Sequence, residues 1–267
     1  MTGKLAILAG RGAMPKALAE AYPDAVCVSF DGVETPVPRV DAHHRFEAFG
    51  ALLDDLKERG VERLVLAGGV GRPPLDPQSF DPFMQSLAPR LLAALQGGDD
   101  ALVRLVVSIF EEAGFAVIGA HELLPELTAA PGLLAGDAPD AAARADITRA
   151  KQILTALSPL DVGQAAVVDT GIALGIETQQ GTDEMLRFVS EASQTLRGKG
   201  GVLVKRPKIG QDLRVDMPAI GPETVRAAAR AGLQGIVIAA NQVVLIDRAA
   251  LIAAAGETGV FLLAEAE

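Results

Sequence analysis

Apolar positions along the first half of the chain fall into two alternating periods. Leu5–Ala9, Ala25–Phe30, Arg63–Ala67 and Phe115–Ile118 are short apolar runs with the length of buried strands. Between them, Lys16–Ala21, Phe49–Arg59, Phe83–Leu95 and Ala101–Glu112 repeat their apolar residues at helical spacing. Strand and helix in alternation predict a parallel sheet with helices on both faces.

The second half reads as a different α/β arrangement. A helix over Ala141–Leu157 precedes two neighbouring strands, Ala165–Asp169 and Ile172–Glu177, and Thr170-Gly171 between them predicts a hairpin. Then come helix Asp183–Leu196, strand Gly201–Val204, helix Pro222–Ala231, strands Gly235–Ala239 and Val243–Ile246, helix Asp247–Ala255 and a last strand, Val260–Ala264. Ala129–Asp140 concentrates Pro, Gly and small residues, which places the domain boundary there: 1–132, a linker over 133–140, and 141–267. The fold expectation is therefore α/β throughout. A parallel-sheet N-terminal domain and a mixed α/β C-terminal domain face each other across a ligand cleft, and no internal repeat relates them.

Charge narrows the function classes. With 24 Lys and Arg against 34 Asp and Glu, the 267-residue chain has a net charge of −10. That argues against the broad basic stripe of a nucleic-acid binder and against electrostatic adhesion to anionic lipid. Cys27 is the single cysteine and sits in an apolar run, so it reads as a core residue in a cytoplasmic protein without disulfides. The opening Lys4–Leu8 run reaches glycine without a signal-peptide core, and no apolar run approaches the ~18 residues of a membrane span. A soluble protein is expected.

Candidate chemistry concentrates in Gly201–Thr224, GVLVKRPKIGQDLRVDMPAIGPET. Lys205, Arg206 and Lys208 follow the apolar Val202–Val204, so cations gather at a strand end, where clefts of α/β proteins open. Asp212, Arg214 and Asp216 are spaced by two, and in an extended segment all three would share one face. Such a face can hold a hydrated metal against phosphate oxygens. A solvated loop with mutually paired charges is the plainer alternative. Pro207, Gly210, Pro218 and Gly221 argue instead for a loop of defined shape.

Four other stretches carry weaker signals. Gly10-Arg11-Gly12 leaves the first strand and enters the first helix, where backbone N–H groups favour anions. Pro15 replaces the third glycine of a dinucleotide fingerprint, and the acid of the second strand is missing unless Asp31 serves. Gly68-Gly69-Val70-Gly71-Arg72 follows a strand of the same expected sheet; Gly69 belongs to the second glycine loop and Arg72 is a candidate phosphate or uracil contact. Gly97-Gly98-Asp99-Asp100 precedes a helix that Asp99 would cap, leaving Asp100 as a candidate functional acid or a first-turn charge. Glu177 ends a strand and Gly181-Thr182-Asp183 opens a helix, as a cap or as an anion cradle. His43, His44 and His121 match no zinc spacing, and neither a Ser-His-Asp order nor a P-loop is present.

Six stretches together resemble one family. AGRGAMP (Ala9–Pro15), AGGVGRP (Ala67–Pro73), GGDDALVR (Gly97–Arg104), SPLDVGQAAVV (Ser158–Val168), GTDEML (Gly181–Leu186) and VKRPKIGQDLRVDMPAIGPET (Val204–Thr224) look like the UDP-2,3-diacylglucosamine pyrophosphatases of the LpxI type. The resemblance implies Mg²⁺-dependent hydrolysis of UDP-2,3-diacylglucosamine to UMP and the acylated sugar 1-phosphate, lipid X, in lipid A synthesis. It also implies a Rossmann-like N-terminal domain, a cytoplasmic location and peripheral contact with the inner-leaflet membrane surface that holds the substrate. Under it Asp216 is the first choice of catalytic acid, with Asp212 and Lys205 beside it, and Asp216 and Asp183 hold the metal. The substrate contacts would come from Gly10, Arg11, Gly12, Gly69, Arg72 and Asp100, and from Gly181, Thr182, Asp183, Lys208, Gln211 and Arg214. The acyl chains demand an apolar groove, for which helix Leu102–Phe110 and the Phe80–Leu87 segment are candidates.

Two other readings stand beside this one: an NAD(P)- or nucleotide-sugar-dependent oxidoreductase built on the first glycine loop, and a non-enzymatic nucleotide-binding regulator. A homodimer is one oligomeric state the sequence allows.

Overall fold

The computed structural model describes residues 3–71, 74–96, 99–191 and 200–266, with the backbone alone at 99 and 100. They form two compact units. The first runs to Leu124 and is completed by Asp212–Asp216; the second comprises Pro125–Gln211 and Met217–Glu267.

In the first unit the chain order is β1 (Lys4–Ala9), α1 (Ala13–Ala21), β2 (Val26–Phe30), β3 (Ala42–His44), α2 (Phe49–Glu58), β4 (Val61–Ala67), α3 (Pro82–Gln96), α4 (Asp99–Glu112), β5 (Ala116–Val117) and α5 (Ala120–Leu123). The strands pair in the order β3-β2-β1-β4-β5, all parallel, as the alternation of apolar runs and helical stripes predicts. The direction of winding reverses between β1 and β4, and in such sheets ligands bind beyond the carboxyl ends of the strands at that point. Ala6, Leu8, Val28 and Leu64 form one core with Leu52 and Leu56 of α2 and with Val107 and Phe110 of α4. Strand β3 is not evident in the sequence because polar pairs hold it: His43 Nδ1 lies 2.7 Å from Ser29 Oγ, and His44 Nε2 2.9 Å from Asp55 Oδ2.

The second unit contains β6 (Gly132–Ala135), α6 (Ala141–Leu157), β7 (Ala165–Asp169), β8 (Ile172–Ile176), α7 (Gly181–Glu191), β9 (Val202–Lys205), β10 (Ala219–Ile220), α8 (Pro222–Arg230), β11 (Gly235–Ala239), β12 (Val244–Leu245), α9 (Arg248–Thr258) and β13 (Phe261–Glu265). Its main sheet runs β6-β13-β11-β9-β7-β8. The central trio is parallel, whereas β6, β7 and β8 pair antiparallel with their neighbours. Helix α6 packs Ala143, Ile147, Ala150 and Leu154 on one face of this sheet, and residues of α7, α8 and α9 cover the other. The expected hairpin is present. Thr170 and Gly171 both take positive φ, and the buried Asp146 carboxylate accepts from their amides at 3.0 and 2.7 Å.

Gly132–Ala135 spans the end of the expected first domain and the start of its linker, yet it pairs with β13, and the units divide between Leu124 and Pro125. The Pro and Gly residues there punctuate an edge strand. Helix α7 is described to Glu191, so the end of the expected Asp183–Leu196 helix lies outside the described residues.

The two glycine loops of the first unit meet at its carboxyl edge. Arg11 N donates to Gly69 O at 2.8 Å, Gly69 N returns to Arg11 O at 3.1 Å, and Gly10 N donates to Ala67 O at 2.8 Å. This close approach leaves no room for a side chain at Gly68, whose φ is +82° and where an added Cβ would lie 2.2 Å from Arg11 O. Gly68→Ala is accordingly expected to cost about 1–3 kcal/mol in urea unfolding, through both left-handed strain and the clash. An unchanged midpoint would contradict this packing.

Candidate functional site

Apolar periodicity in the first unit makes more than a core. Met84, Leu87, Leu91 and Leu95 form a stripe along α3, and Leu102, Leu105, Val106, Ile109 and Phe110 form another along α4. Together with Leu8 of β1, Leu66 of β4 and the stacked rings of Phe30 and Phe46 (centroids 4.7 Å apart), they enclose a cavity of about 490 Å³. It lies where the sheet's winding reverses, and Gly68, Val70 and Gly71 of the second glycine loop form part of its wall. Among the described lining residues Asp216 is the charged one, entering beside Val215.

Asp216 reaches this cavity because its segment is clamped onto the first unit. Asp212 O accepts from Val215 N (3.3 Å) and Asp216 N (3.1 Å), which closes a single turn. Arg214 grips the Asp212 carboxylate in bidentate fashion, Nε to Oδ1 at 2.9 Å and Nη2 to Oδ2 at 2.7 Å, and extends Nη1 to Glu111 Oε1 on α4 at 2.6 Å. These bonds hold the Asp212 carboxyl below its usual range and raise Arg214 further. The extended segment with three charges on one face is thus replaced by a turn. Its amides satisfy the Asp212 carbonyl, Arg214 neutralises Asp212 and Glu111, and Asp216 is the member that lines the cavity.

The first glycine loop forms no open phosphate cradle at Gly10 and Arg11, since both amides are spent within the loop pair. Gly12 precedes α1 with φ +92° and no side-chain cap. The Arg11 guanidinium donates to Gly32 O at 3.0 Å, and Asp31 pairs with His43. The Gly10 and Arg11 amides are therefore not open to a dinucleotide pyrophosphate. Arg72 lies outside the described residues, and Asp100 falls in the first turn of α4 by its backbone.

Within the second unit, the sequence candidates gather into two networks. Lys205, at the end of β9, donates to Thr182 Oγ1 at 2.6 Å; Thr182 donates to Glu177 Oε1 at 2.6 Å; and Lys205 Nζ lies 3.6 Å from that same oxygen. All three side chains are buried, so the charges are desolvated and hold one another in place. Gly181 opens α7 at φ +81°, and Asp183 is exposed in its first turn. In the other network Lys208 pairs with Asp161, while Gln211 Oε1 accepts from Lys208 N (2.9 Å) and Gln164 Nε2 (3.0 Å). Ile209 N donates to Ser158 Oγ at 2.6 Å, so the SPLDVGQ stretch forms the bracket for this basic loop.

No group of three or more His, Cys, Asp or Glu side chains is placed to hold a metal among the described residues. Asp216 belongs to the first unit and Asp183 to the second. Glu111 was not among the sequence candidates. One glutamate in a helix bearing Glu111-Glu112 gives no sign that a distant arginine will seek it.

Comparison with protein families matches residues 4–127 to the LpxI N-terminal domain and residues 130–263 to the LpxI C-terminal domain. A relative from Caulobacter vibrioides, described as UDP-2,3-diacylglucosamine pyrophosphatase LpxI, is 39% identical over 275 aligned residues, covering 97% of this chain and 96% of the relative.

The clamp has a pH signature. The folded Asp212 carboxyl titrates below its unfolded value of about 3.9, so its stabilising contribution is full above that pH and is lost as pH falls through the folded value. Urea unfolding should therefore separate wild type from Asp212→Asn most widely near neutrality, with the gap closing as pH drops below about 4. A gap that stays constant into acid would contradict the ion pair.

Proposed function

This chain belongs to the LpxI family, and from that premise we propose that it hydrolyses the pyrophosphate bond of UDP-2,3-diacylglucosamine, releasing UMP and 2,3-diacylglucosamine 1-phosphate in lipid A synthesis. The observation that carries the reading is the apolar cavity with a carboxylate in its wall, which suits a substrate with hydrocarbon chains at one end and a diphosphate at the other. The α4 stripe and the Phe80–Leu87 segment, both expected as acyl-chain candidates, contribute lining residues.

The chemistry follows from charge. Displacement at phosphorus builds negative charge on the phosphoryl oxygens, so cations and a positioned proton acceptor lower the barrier. Asp216 is proposed to orient the attacking water and take its proton as the oxygen bonds to the sugar-linked phosphorus; the bridging oxygen then departs with UMP. Lys205 is proposed to disperse phosphoryl charge, with Gly181, Thr182, Asp183, Lys208 and Gln211 as the second unit's substrate contacts. Gly12, Asp100 and Arg72 remain proposed contacts of the first unit. Asp212 and Arg214 contribute chiefly by seating Asp216.

Mg²⁺ is the proposed cofactor: it takes one or two carboxylates and completes its shell with waters and phosphate oxygens, and Asp216 would serve as a hard oxygen ligand, with Asp183 as the second proposed one. When bound it supplies charge neutralisation on the diphosphate and acidifies water. Localisation is proposed as cytoplasmic with peripheral membrane contact. No helix among the described residues is long and apolar enough to cross a membrane.

Asp216→Ala is expected to fold with an unchanged melting temperature and to lose UMP release by about 10²-fold or more. Turnover within about tenfold of wild type would move the role to Asp183, Asp100 or Asp212. A cavity variant tests the other end of the substrate. Val106→Phe should lower kcat/KM for a long-chain substrate about tenfold relative to a short-chain analogue, and an unchanged ratio would place the chains elsewhere.

A further inference from the structure

The cavity reaches the surface along α3. Leu95 is both part of its wall and 47% exposed, so the lining continues outward at that residue. Leu92, three positions earlier, shares that face of the helix and is 60% exposed. Scattered exposed leucines are ordinary on soluble proteins, but here the exposed pair is continuous with an apolar interior. Charge on the helix is also unusual for this chain. With a net charge of −10 overall, α3 has no acidic residue from Pro82 to Gln96, and Arg90, its one charged side chain, is engaged by Glu112 at 2.7 and 2.8 Å and by Ser108 at 3.1 Å.

We propose that the Leu92 and Leu95 face of α3 docks on a phospholipid bilayer, so that acyl chains enter the cavity directly from the leaflet. This rests on the hydrolytic reading above. The continuity of exposed and enclosed hydrocarbon-like surface selects the partner: a chain leaving a bilayer through Leu92 and Leu95 stays in apolar surroundings until it reaches the stripes of α3 and α4. Burial of the leucines drives this docking, so it does not depend on anionic lipid.

Flotation of the full-length protein with phosphatidylcholine vesicles tests the surface independently of turnover. Wild type should float with the vesicles, and Leu92→Glu, a change at an exposed position outside the cavity wall, should bind them about tenfold more weakly. In detergent-dispersed substrate the variant should keep its hydrolysis within about twofold, while hydrolysis of vesicle-embedded substrate falls with the binding. Equal flotation of the two proteins, failure of wild type to float, or a light-scattering shift from dimer to monomer without a change in flotation would each overturn the proposal. Absence of hydrolysis by wild type in detergent would instead strike the hydrolytic reading.

Discussion

The bidentate grip of Arg214 on Asp212, extended to Glu111, is the constraint on which the candidate site depends. A guanidinium presents a rigid fork that meets one carboxylate in its plane and still has a donor for a second. Here the first carboxylate lies two residues away and the second on α4, so one side chain both folds the 212–216 turn and fastens it to the first unit. Exposed ion pairs contribute little by themselves. This one is half-buried, is reinforced by two backbone bonds to the Asp212 carbonyl, and determines where Asp216 lies. Replacing Arg214 with Lys would keep the charge and lose the fork.

What Asp216 meets there is explained by the energetics of packing. Interiors are close-packed, and an unfilled apolar void costs stability in proportion to its volume. A space of about 490 Å³ lined by Leu, Val, Ile, Met and Phe is therefore a standing cost unless it serves a hydrocarbon ligand. Its location follows from topology: it lies at the carboxyl ends of the strands where their order reverses between β1 and β4, and α3 and α4 supply its two apolar stripes. Family membership supplies the complementary half of the argument, since the Caulobacter relative is described as acting on a diacylated nucleotide sugar.

Much of this architecture was legible in the residues. Ala141–Leu157, Ala165–Asp169 and Gly235–Ala239 coincide with their elements because strong periodicity and clear punctuation agree there. Strand β3 was hidden by His43 and His44, whose imidazoles pair with Ser29 and Asp55 across the sheet edge. Strand β6 was hidden by the Pro and Gly residues around it. At the site, residue spacing located the charged segment but not its shape: spacing by two would share a face in an extended strand, whereas the Asp212 carbonyl and carboxylate draw the segment into a turn that Glu111 fastens. The cavity was half legible. A helical stripe such as Leu102 to Phe110 reads the same whether it faces a filled core or an empty one.

The central claim is that the apolar cavity of the first unit holds substrate hydrocarbon with Asp216 beside the diphosphate. Photo-crosslinking tests it most directly, with a substrate carrying a diazirine in its acyl chain, trapped on the Asp216→Ala protein and mapped by mass spectrometry. The account predicts labels on α3 and α4, at residues such as Leu91, Leu102 and Val106. Labels confined to the second unit, with those helices unmodified, would contradict it.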